Sequence, residues 1–164
     1  MNRLRVSVAA VSVLCSLAAA PGAAAQMAQQ LVGTWSLVSA VAHQDGAQTN
    51  PFGPNPSGTL MFGSDGRYAL IFLRTDLPKL ASNNRLAGTT EENRAIAQGG
   101  IAHFGNYRVH EADRVLVLYI EKSTFPNWDG AEQRRSFSLS GDELTYTSPG
   151  STGVATRVTM HRVK

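Results

Sequence analysis

The sequence predicts an all-β fold: an eight-stranded antiparallel up-and-down barrel with one short helix near its mouth. Short runs of apolar and β-branched residues alternate with polar ones along most of the chain, and turn signals separate them. Gly33 and Trp35 open the first run, and Arg162 lies near the end of the last. Because a closed barrel brings its first and last strands together, we expect the Arg162 guanidinium to stack on the Trp35 indole at the narrow end.

Eight strands are predicted from these runs, and most of them are joined by hairpin turns. The turns contain Asp-Gly at residues 45–46 and 65–66 and Gly-Asp at 141–142, which supply the positive φ that tight hairpins need. A barrel is favoured because closure leaves no exposed strand edge; a β-sandwich is the alternative. The predicted strands are residues 34–44, 58–63, 67–74, 101–110, 114–122, 133–140, 144–148 and 154–163.

One helix is predicted between the third and fourth strands. Thr89 and Glu92 have the spacing of a capping box, and Gly99 with Gly100 ends the helical pattern. So short a helix is not stable alone. We therefore expect it to pack close to the mouth of the barrel.

The first 25 residues have the pattern of a secretory signal peptide. A basic start at residues 1–5 precedes an apolar run at 6–20 and an Ala-x-Ala cleavage site at 23–25. The apolar run is shorter than a membrane-spanning helix requires. These features predict a periplasmic or secreted protein with no stable membrane anchor after cleavage, in which residues 26–164 form one barrel domain.

The composition of residues 26–164 excludes several classes of site. Cys15 lies in the signal peptide, so cleavage leaves no cysteine for a disulfide, a thiolate metal site or a nucleophile. Once Arg3 and Arg5 are removed, 13 Lys and Arg face 12 Asp and Glu without any run of like charge. Nucleic acid is therefore not an expected partner. The sequence also lacks a phosphate-cradling glycine loop and a redox motif, and no cofactor is predicted.

Several segments resemble one known family. The chain reads LVGTWSLVS at residues 31–39, PFGPNPSG at 51–58, DGR at 65–67, FGNY at 104–107, FPNWDG at 125–130 and QRR at 133–135. In this order they resemble the lipocalin-like domain family of bacterial and fungal proteins. The resemblance covers most of residues 26–164 and implies a compact calycin-type barrel. It implies no particular activity.

The interior of the barrel is predicted from strand register. Pairing across residues 141–142 sets Leu139 opposite Leu144 and Phe137 opposite Tyr146. The other face of this strand carries Arg134, Ser136 and Ser138, which suit solvent. The residues predicted to point inward on these strands are Val115, Val117, Tyr119, Phe137, Leu139 and Tyr146.

Six side chains are predicted to bind a ligand at or below the mouth. The same register places Glu121 cross-strand from Arg135 and beside His103, above an apolar cup, where they would orient a polar head. The alternatives are a simple ion pair that closes the mouth, solvated rim histidines and core tyrosines. No short-range ligand spacing supports a metal site. The predicted ligand-binding residues are His43, His103, Tyr107, Tyr119, Glu121 and Arg135.

Three functions fit these features. The first is an exported binding protein for a small apolar or amphipathic molecule. The second is an isomerase or cyclase, in which His103 or Glu121 moves a proton and Arg135 holds an enolate or carboxylate; the sequence shows no nucleophile elbow that would favour an enzyme. The third is an interaction protein with a filled barrel. It is favoured by a predicted outer apolar stripe of Leu116, Leu118 and Ile120, which would also offer a surface for a homo-oligomer.

Overall fold

The structure is a computed structural model, and it describes residues 23–164. The predicted signal peptide, residues 1–25, lies mainly outside the described residues. In chain order the elements are α1 (Ala23–Leu31), β1 (Gly33–Gln44), β2 (Ala47–Thr49), β3 (Ser57–Phe62), β4 (Arg67–Leu73), α2 (Thr90–Gln98), β5 (Gly100–His110), β6 (Val115–Ser123), a 3-10 helix (Pro126–Trp128), β7 (Glu132–Ser140), β8 (Glu143–Ser148) and β9 (Thr156–Arg162).

Every described strand except β2 belongs to a closed antiparallel barrel. Successive strands pair from β3 to β9, and β1 pairs with β3 on one side and with β9 on the other. The short strand β2 lies outside the barrel, paired with the end of β1. The predicted eight-stranded up-and-down barrel is therefore confirmed. The sequence did not predict β2, because its three residues are all exposed and carry no apolar alternation.

The barrel closes around Trp35, which is fully buried. Strand register sets Trp35 opposite Arg162, whose guanidinium carbon lies 4.2 Å from the centre of the indole. Arg162 Nη1 also donates to the Val32 carbonyl at 3.0 Å, and Trp35 Nε1 donates to the Leu31 carbonyl at 2.8 Å. At Gly33, which has a φ of +126°, a Cβ would lie 3.1 Å from Arg162 Nη1. The predicted contact is thus observed, and both the backbone conformation and the close approach favour glycine at residue 33.

The apolar core fills the barrel from this closed end to its middle. Helix α1 covers the end, since the Met27 backbone N–H donates to Glu111 Oε1 at 2.9 Å and Leu31 is fully buried. The predicted pairing of β7 with β8, Phe137 opposite Tyr146 and Leu139 opposite Leu144, is confirmed. Large members of the core are Leu31, Trp35, Leu60, Phe62, Leu70, Leu116, Leu118, Leu144 and Met160.

A bulge in β1 explains why one residue that was predicted to point inward lies on the outer surface. The pairing of β1 with β9 shifts between Leu37 and Ser39, so the alternation of inward and outward side chains restarts. Trp35 and Leu37 are buried before the bulge, and Ala40 and Ala42 after it. His43, predicted to face the interior, is therefore exposed on the outer surface.

The sequence predicted the wrong inward-facing residues on β6, because the β5–β6 turn is longer than expected. A three-residue turn at residues 111–113 was the expectation, whereas His110 pairs with Val115 and leaves four residues between them. Arg114 completes this turn in the left-handed conformation, with a φ of 50°. One extra residue sends every following side chain to the opposite face of the strand.

Two predictions for β6 are corrected by this shift. Val115, Val117 and Tyr119, predicted inside, have cross-strand partners on the outer face of the sheet. The expected outer apolar stripe lies inside the barrel instead. Each of its residues is at most 2 % exposed: Leu116, Leu118 and Ile120. This stripe therefore offers no surface for a homo-oligomer or another partner.

A second bulge lies where β5 passes β6, at Gly105. The pairing runs from Gly105 opposite Ile120 to Phe104 opposite Lys122, so Glu121 is an extra residue on β6. A Cβ on Gly105 would lie 1.9 Å from the carbonyl oxygen of Tyr119. Only glycine fits this approach without displacing the backbone of β6.

Helix α2 follows its predicted capping box. The Glu92 backbone N–H donates to Thr89 Oγ1 at 3.2 Å, and Glu92 Oε2 accepts from the Thr89 backbone N–H at 2.8 Å. The helix lies in the connection between β4 and β5, which leaves and re-enters the barrel at the end opposite Trp35. None of its own residues is buried.

Replacement of Trp35 tests the closure of the barrel. Trp35→Ala should lower the free energy of unfolding by about 3–5 kcal/mol, because a large buried side chain is removed and the cavity cannot fully collapse. Urea unfolding followed by far-ultraviolet circular dichroism measures this loss. Ser36→Ala, on the exposed neighbour, is the control and should change the value by about 0.5 kcal/mol at most. Equal losses for the two variants would contradict this role of Trp35.

Candidate functional site

A cavity opens at the mouth of the barrel, which is the end opposite Trp35. Its volume is about 450 Å³ when the opening to solvent is included, and the space into which the centre of a water molecule fits is about 40 Å³. It lies between the inner faces of β4, β5, β7, β8 and β9 and extends to the loops that follow β2 and β8. It is lined by Pro51, Phe52, Leu70, Phe72, Ile101, His103, Trp128, Arg135, Tyr146, Ser148, Gly150, Ser151, Thr152, Thr156 and Val158.

Aromatic side chains form much of the wall. Phe52, from the loop after β2, meets Phe72 of β4 edge to face, with ring centres 5.8 Å apart. Trp128, from the 3-10 helix, stands edge to face against His103 with centres 5.8 Å apart. Trp128 therefore lies at the mouth. Such walls bind apolar or flat molecules.

Arg135 is the charged residue among the described residues that line the cavity, and it is 2 % exposed. Strand β7 points it inward because Arg134 and Ser136 occupy the solvent face, as the sequence predicted. Its Nη2 donates to Gln133 Oε1 at 2.7 Å and lies 3.4 Å from His103 Nε2. Both partners are uncharged. Its Nε has no hydrogen-bond partner.

His103 is held between two polar side chains. Its Nδ1 lies 2.8 Å from Tyr68 Oη, and its Nε2 faces Arg135. A guanidinium can only donate, so we assign Nε2 as the acceptor and place the ring proton on Nδ1, which then donates to Tyr68. Burial, followed by the positive charge of Arg135, lowers the pKa of His103 to about 3. The imidazole is therefore neutral and holds the guanidinium in place.

Tyr146 completes the polar part of the cavity. Its ring centre lies 5.2 Å from the guanidinium carbon of Arg135, and its hydroxyl is buried without a hydrogen-bond partner. Burial raises the pKa of this phenol to about 12. The hydroxyl is thus a neutral donor within the apolar wall.

The structure brings two of the six predicted ligand-binding residues together in the cavity, His103 and Arg135. Glu121, predicted beside them, is on the outer face, where its Oε2 accepts from Arg67 Nη2 at 3.0 Å and its Oε1 accepts from Asn106 Nδ2 at 3.0 Å. The bond to Arg67 holds the pKa of Glu121 below its usual range. The predicted pairing of Glu121 with Arg135 is wrong, because the β6–β7 register sets Arg135 opposite Leu116.

The other three predicted residues also lie away from the cavity. Tyr119 is on the outer face, where the Arg108 guanidinium carbon lies 5.4 Å from its ring centre. Tyr107 points inward but belongs to the closed end, since its hydroxyl donates to the Gly63 carbonyl at 3.0 Å and its ring packs 4.6 Å from that of Phe62. His43 is exposed beyond the β1 bulge.

Sequence reasoning missed Phe52 of the cavity wall and two polar residues, Gln133 and Tyr68, that bond to Arg135 and His103. Gln133 precedes Arg135 by two positions on β7, so the alternation of a strand could have placed it inside. Phe52 lies in the Pro-Phe-Gly-Pro segment that supports the family resemblance, yet a loop gives no register from which to assign a face. Tyr68 alternates with Leu70 and Phe72 on β4, and this pattern marks it as inward but not as a partner of His103.

One family model matches most of the chain. The model of a family described as lipocalin-like domain matches residues 32–160. The chain belongs to this family. A solved structure of a redesigned beta barrel is similar to this lipocalin-like chain at 16 % identity, with 84 % of this chain and 95 % of that chain covered and a TM-score of 0.45. No curated protein matches the chain.

The arrangement of the lipocalin-like barrel can bind and orient a molecule. An apolar body contacts the aromatic wall, and Arg135 with Tyr146 offers hydrogen-bond donors at one side. Among residues 23–164, no group of three or more His, Cys, Asp or Glu side chains is placed to hold a metal ion. No helix in the same stretch is long and apolar enough to cross a membrane.

Mild acid should reveal the burial of His103. Its pKa is about 3 in the folded protein and about 6.5 in an unfolded chain. As the pH falls through this window, the unfolded state binds a proton that the folded state does not. The free energy of unfolding should then fall by up to about 1.4 kcal/mol per pH unit.

Urea unfolding of wild type and His103→Gln between about pH 6.5 and pH 5 measures this contribution, above the range in which ordinary carboxyl groups titrate. His103→Gln should be less stable near neutral pH and show a shallower slope. Ser138→Ala, on the solvent face of β7, should keep the wild-type slope. Equal slopes for wild type and His103→Gln would contradict a buried neutral imidazole.

Proposed function

We propose that this lipocalin-like protein is an exported binding protein that takes a small apolar or amphipathic molecule into the cavity at its mouth. The observation that carries the proposal is a cavity open at the mouth, with aromatic walls and a few convergent polar groups. Sites for small molecules usually have this construction.

The size and shape of the cavity favour a small and flat ligand. The space into which the centre of a water molecule fits is only about 40 Å³, and Phe52 and Phe72 meet edge to face in its wall. Burial of apolar ligand surface contributes roughly 25 cal/mol per Å² before the costs of ordering the ligand. A compact ring system uses this area at low entropic cost.

The alternative of a filled barrel has lost its main support. It depended on an outer apolar stripe, and the residues of that stripe are part of the core. The core also occupies the closed end, which leaves the mouth for a ligand. The alternative of an enzyme did not depend on this stripe. However, both ring nitrogens of His103 are engaged by Tyr68 and Arg135, so the imidazole holds its neighbours in place and is not a free base.

Export is the second part of the proposal, and it rests on the signal-peptide pattern of residues 1–25. Protein recovered from the periplasm or the medium should begin near Gln26. N-terminal sequencing checks this, with an Ala25→Arg variant as the control that should retain the leader. A mature protein that begins at Met1 would contradict export.

A filled-cavity variant tests the binding site. Ile101 lines the cavity and is 7 % exposed, whereas Ile71 on β4 faces outward and is 41 % exposed. Ile101→Phe adds volume inside the cavity and should weaken binding of the neutral fluorescent probe phenylnaphthylamine by about tenfold or more, since about 1.4 kcal/mol of lost contact suffices. Ile71→Phe makes the same change on the outer face and should bind like wild type.

Fluorescence titration gives the affinity, and circular dichroism verifies that both variants are folded. Absence of probe binding by wild type would contradict the proposed function. Equal affinities of folded Ile101→Phe and Ile71→Phe would show that the probe binds elsewhere.

A further inference from the structure

We infer that the ligand carries a single carboxylate on a flat aromatic body, and that Arg135 and Tyr146 bind this carboxylate inside the barrel. The inference rests on the proposed function and names the chemical class of the ligand. It depends on three observations: a buried cation without a counter-ion, two orphaned donors beside each other, and an aromatic wall.

The charge of Arg135 is uncompensated. Its side chain is 2 % exposed, and its hydrogen-bond partners, Gln133 and His103, are neutral. None of the described residues that line the cavity is acidic. Glu121, the carboxylate that the sequence placed here, is held on the outer surface by Arg67. A buried charge without a partner is costly, and an anion that enters the cavity removes much of that cost.

Two buried polar groups make no hydrogen bond of ordinary geometry within the protein. They are Arg135 Nε and the Tyr146 hydroxyl, on side chains that are 2 % and 1 % exposed and that contact each other. Gln133 and His103 engage Nη2 of the guanidinium, and the Nε–H is left without a partner. A carboxylate has two oxygens that accept several hydrogen bonds, and a charge-assisted bond from a guanidinium is among the strong ones.

The count of charges favours a carboxylate over a phosphate. Arg135 is one cation, and the neighbouring imidazole is neutral. A phosphate monoester carries between one and two negative charges near neutral pH, so one guanidinium would leave part of its charge buried and unpaired. A carboxylate carries one, which a single guanidinium can balance.

The apolar part of the ligand would contact the ring walls. Tyr146 and Trp128 both line the cavity, and Phe52 with Phe72 closes one side of it. Because Tyr146 both contacts Arg135 and lines the wall, the carboxylate and the ring would lie within one short molecule. An aryl carboxylate meets this requirement.

The test compares naphthoate with naphthamide, which have the same ring system and nearly the same shape but differ in charge. Isothermal titration calorimetry at neutral pH measures both affinities. Wild type should bind naphthoate about tenfold or more tightly than naphthamide, because hydrogen bonds to charged groups exceed those to neutral ones. Millimolar inorganic phosphate should not displace naphthoate.

Arg135→Gln should abolish this preference, because loss of the positive charge lowers the affinity for naphthoate more than that for naphthamide. Arg134→Gln, the next residue on the solvent face of β7, is the matched control and should keep the preference. Tyr146→Phe should reduce the preference in part. This variant retains the ring and the core packing, so it serves as the test if Arg135→Gln does not fold.

The outcomes separate this inference from the proposed function. If wild type binds the two naphthalene probes equally, or if phosphate displaces naphthoate, the carboxylate inference is overturned while binding of an apolar molecule stands. If Arg134→Gln loses the preference as Arg135→Gln does, Arg135 is not the binding residue and the inference is again overturned. If phenylnaphthylamine also fails to bind, the proposed function falls with it.

Discussion

The contact between β1 and β9 is the constraint on which the rest of the barrel depends. Arg162 covers the indole of Trp35 and donates to the Val32 carbonyl, so one guanidinium joins the two ends of the sheet and plugs its narrow end. With this end sealed and covered by α1, the apolar residues near it have no route to solvent. The space that remains open lies at the mouth, and the polar groups of the interior are found there.

The two ends of the barrel each carry a guanidinium group, with opposite consequences. Arg162 is paired with an aromatic face and backbone carbonyls, and it stabilises closure. Arg135 is buried as deeply as an apolar core residue, yet its partners are neutral and its Nε is unpaired. A protein retains so costly a group more readily where a site needs it than where stability alone is at stake.

Much of the fold could be predicted from the sequence, and the limits have one cause. Hairpins with Gly-Asp or Asp-Gly turns fixed the pairing of β7 with β8, so the inward orientation of Arg135 was correct. The β5–β6 connection has no such signal, and one residue more than expected reversed Glu121 and Tyr119. The β1 bulge reversed His43 in the same way. Whether a strand residue points into the site depends on whether it occupies an odd or an even position along the strand. Neither the length of a turn nor a bulge, which both change this alternation, is visible as a pattern of residue types.

The bulge at Gly105 has a consequence for the electrostatics of the interior. If the pairing seen from Gly105 to His110 continued without it, Lys122 would stand opposite His103, on the inner face. The extra residue keeps Glu121 and Lys122 both exposed and brings Ser123 beside His103 instead. A lysine ammonium beside the Arg135 guanidinium would have given the cavity two positive charges. The charge of the cavity is thus set by backbone geometry at a residue that has no side chain.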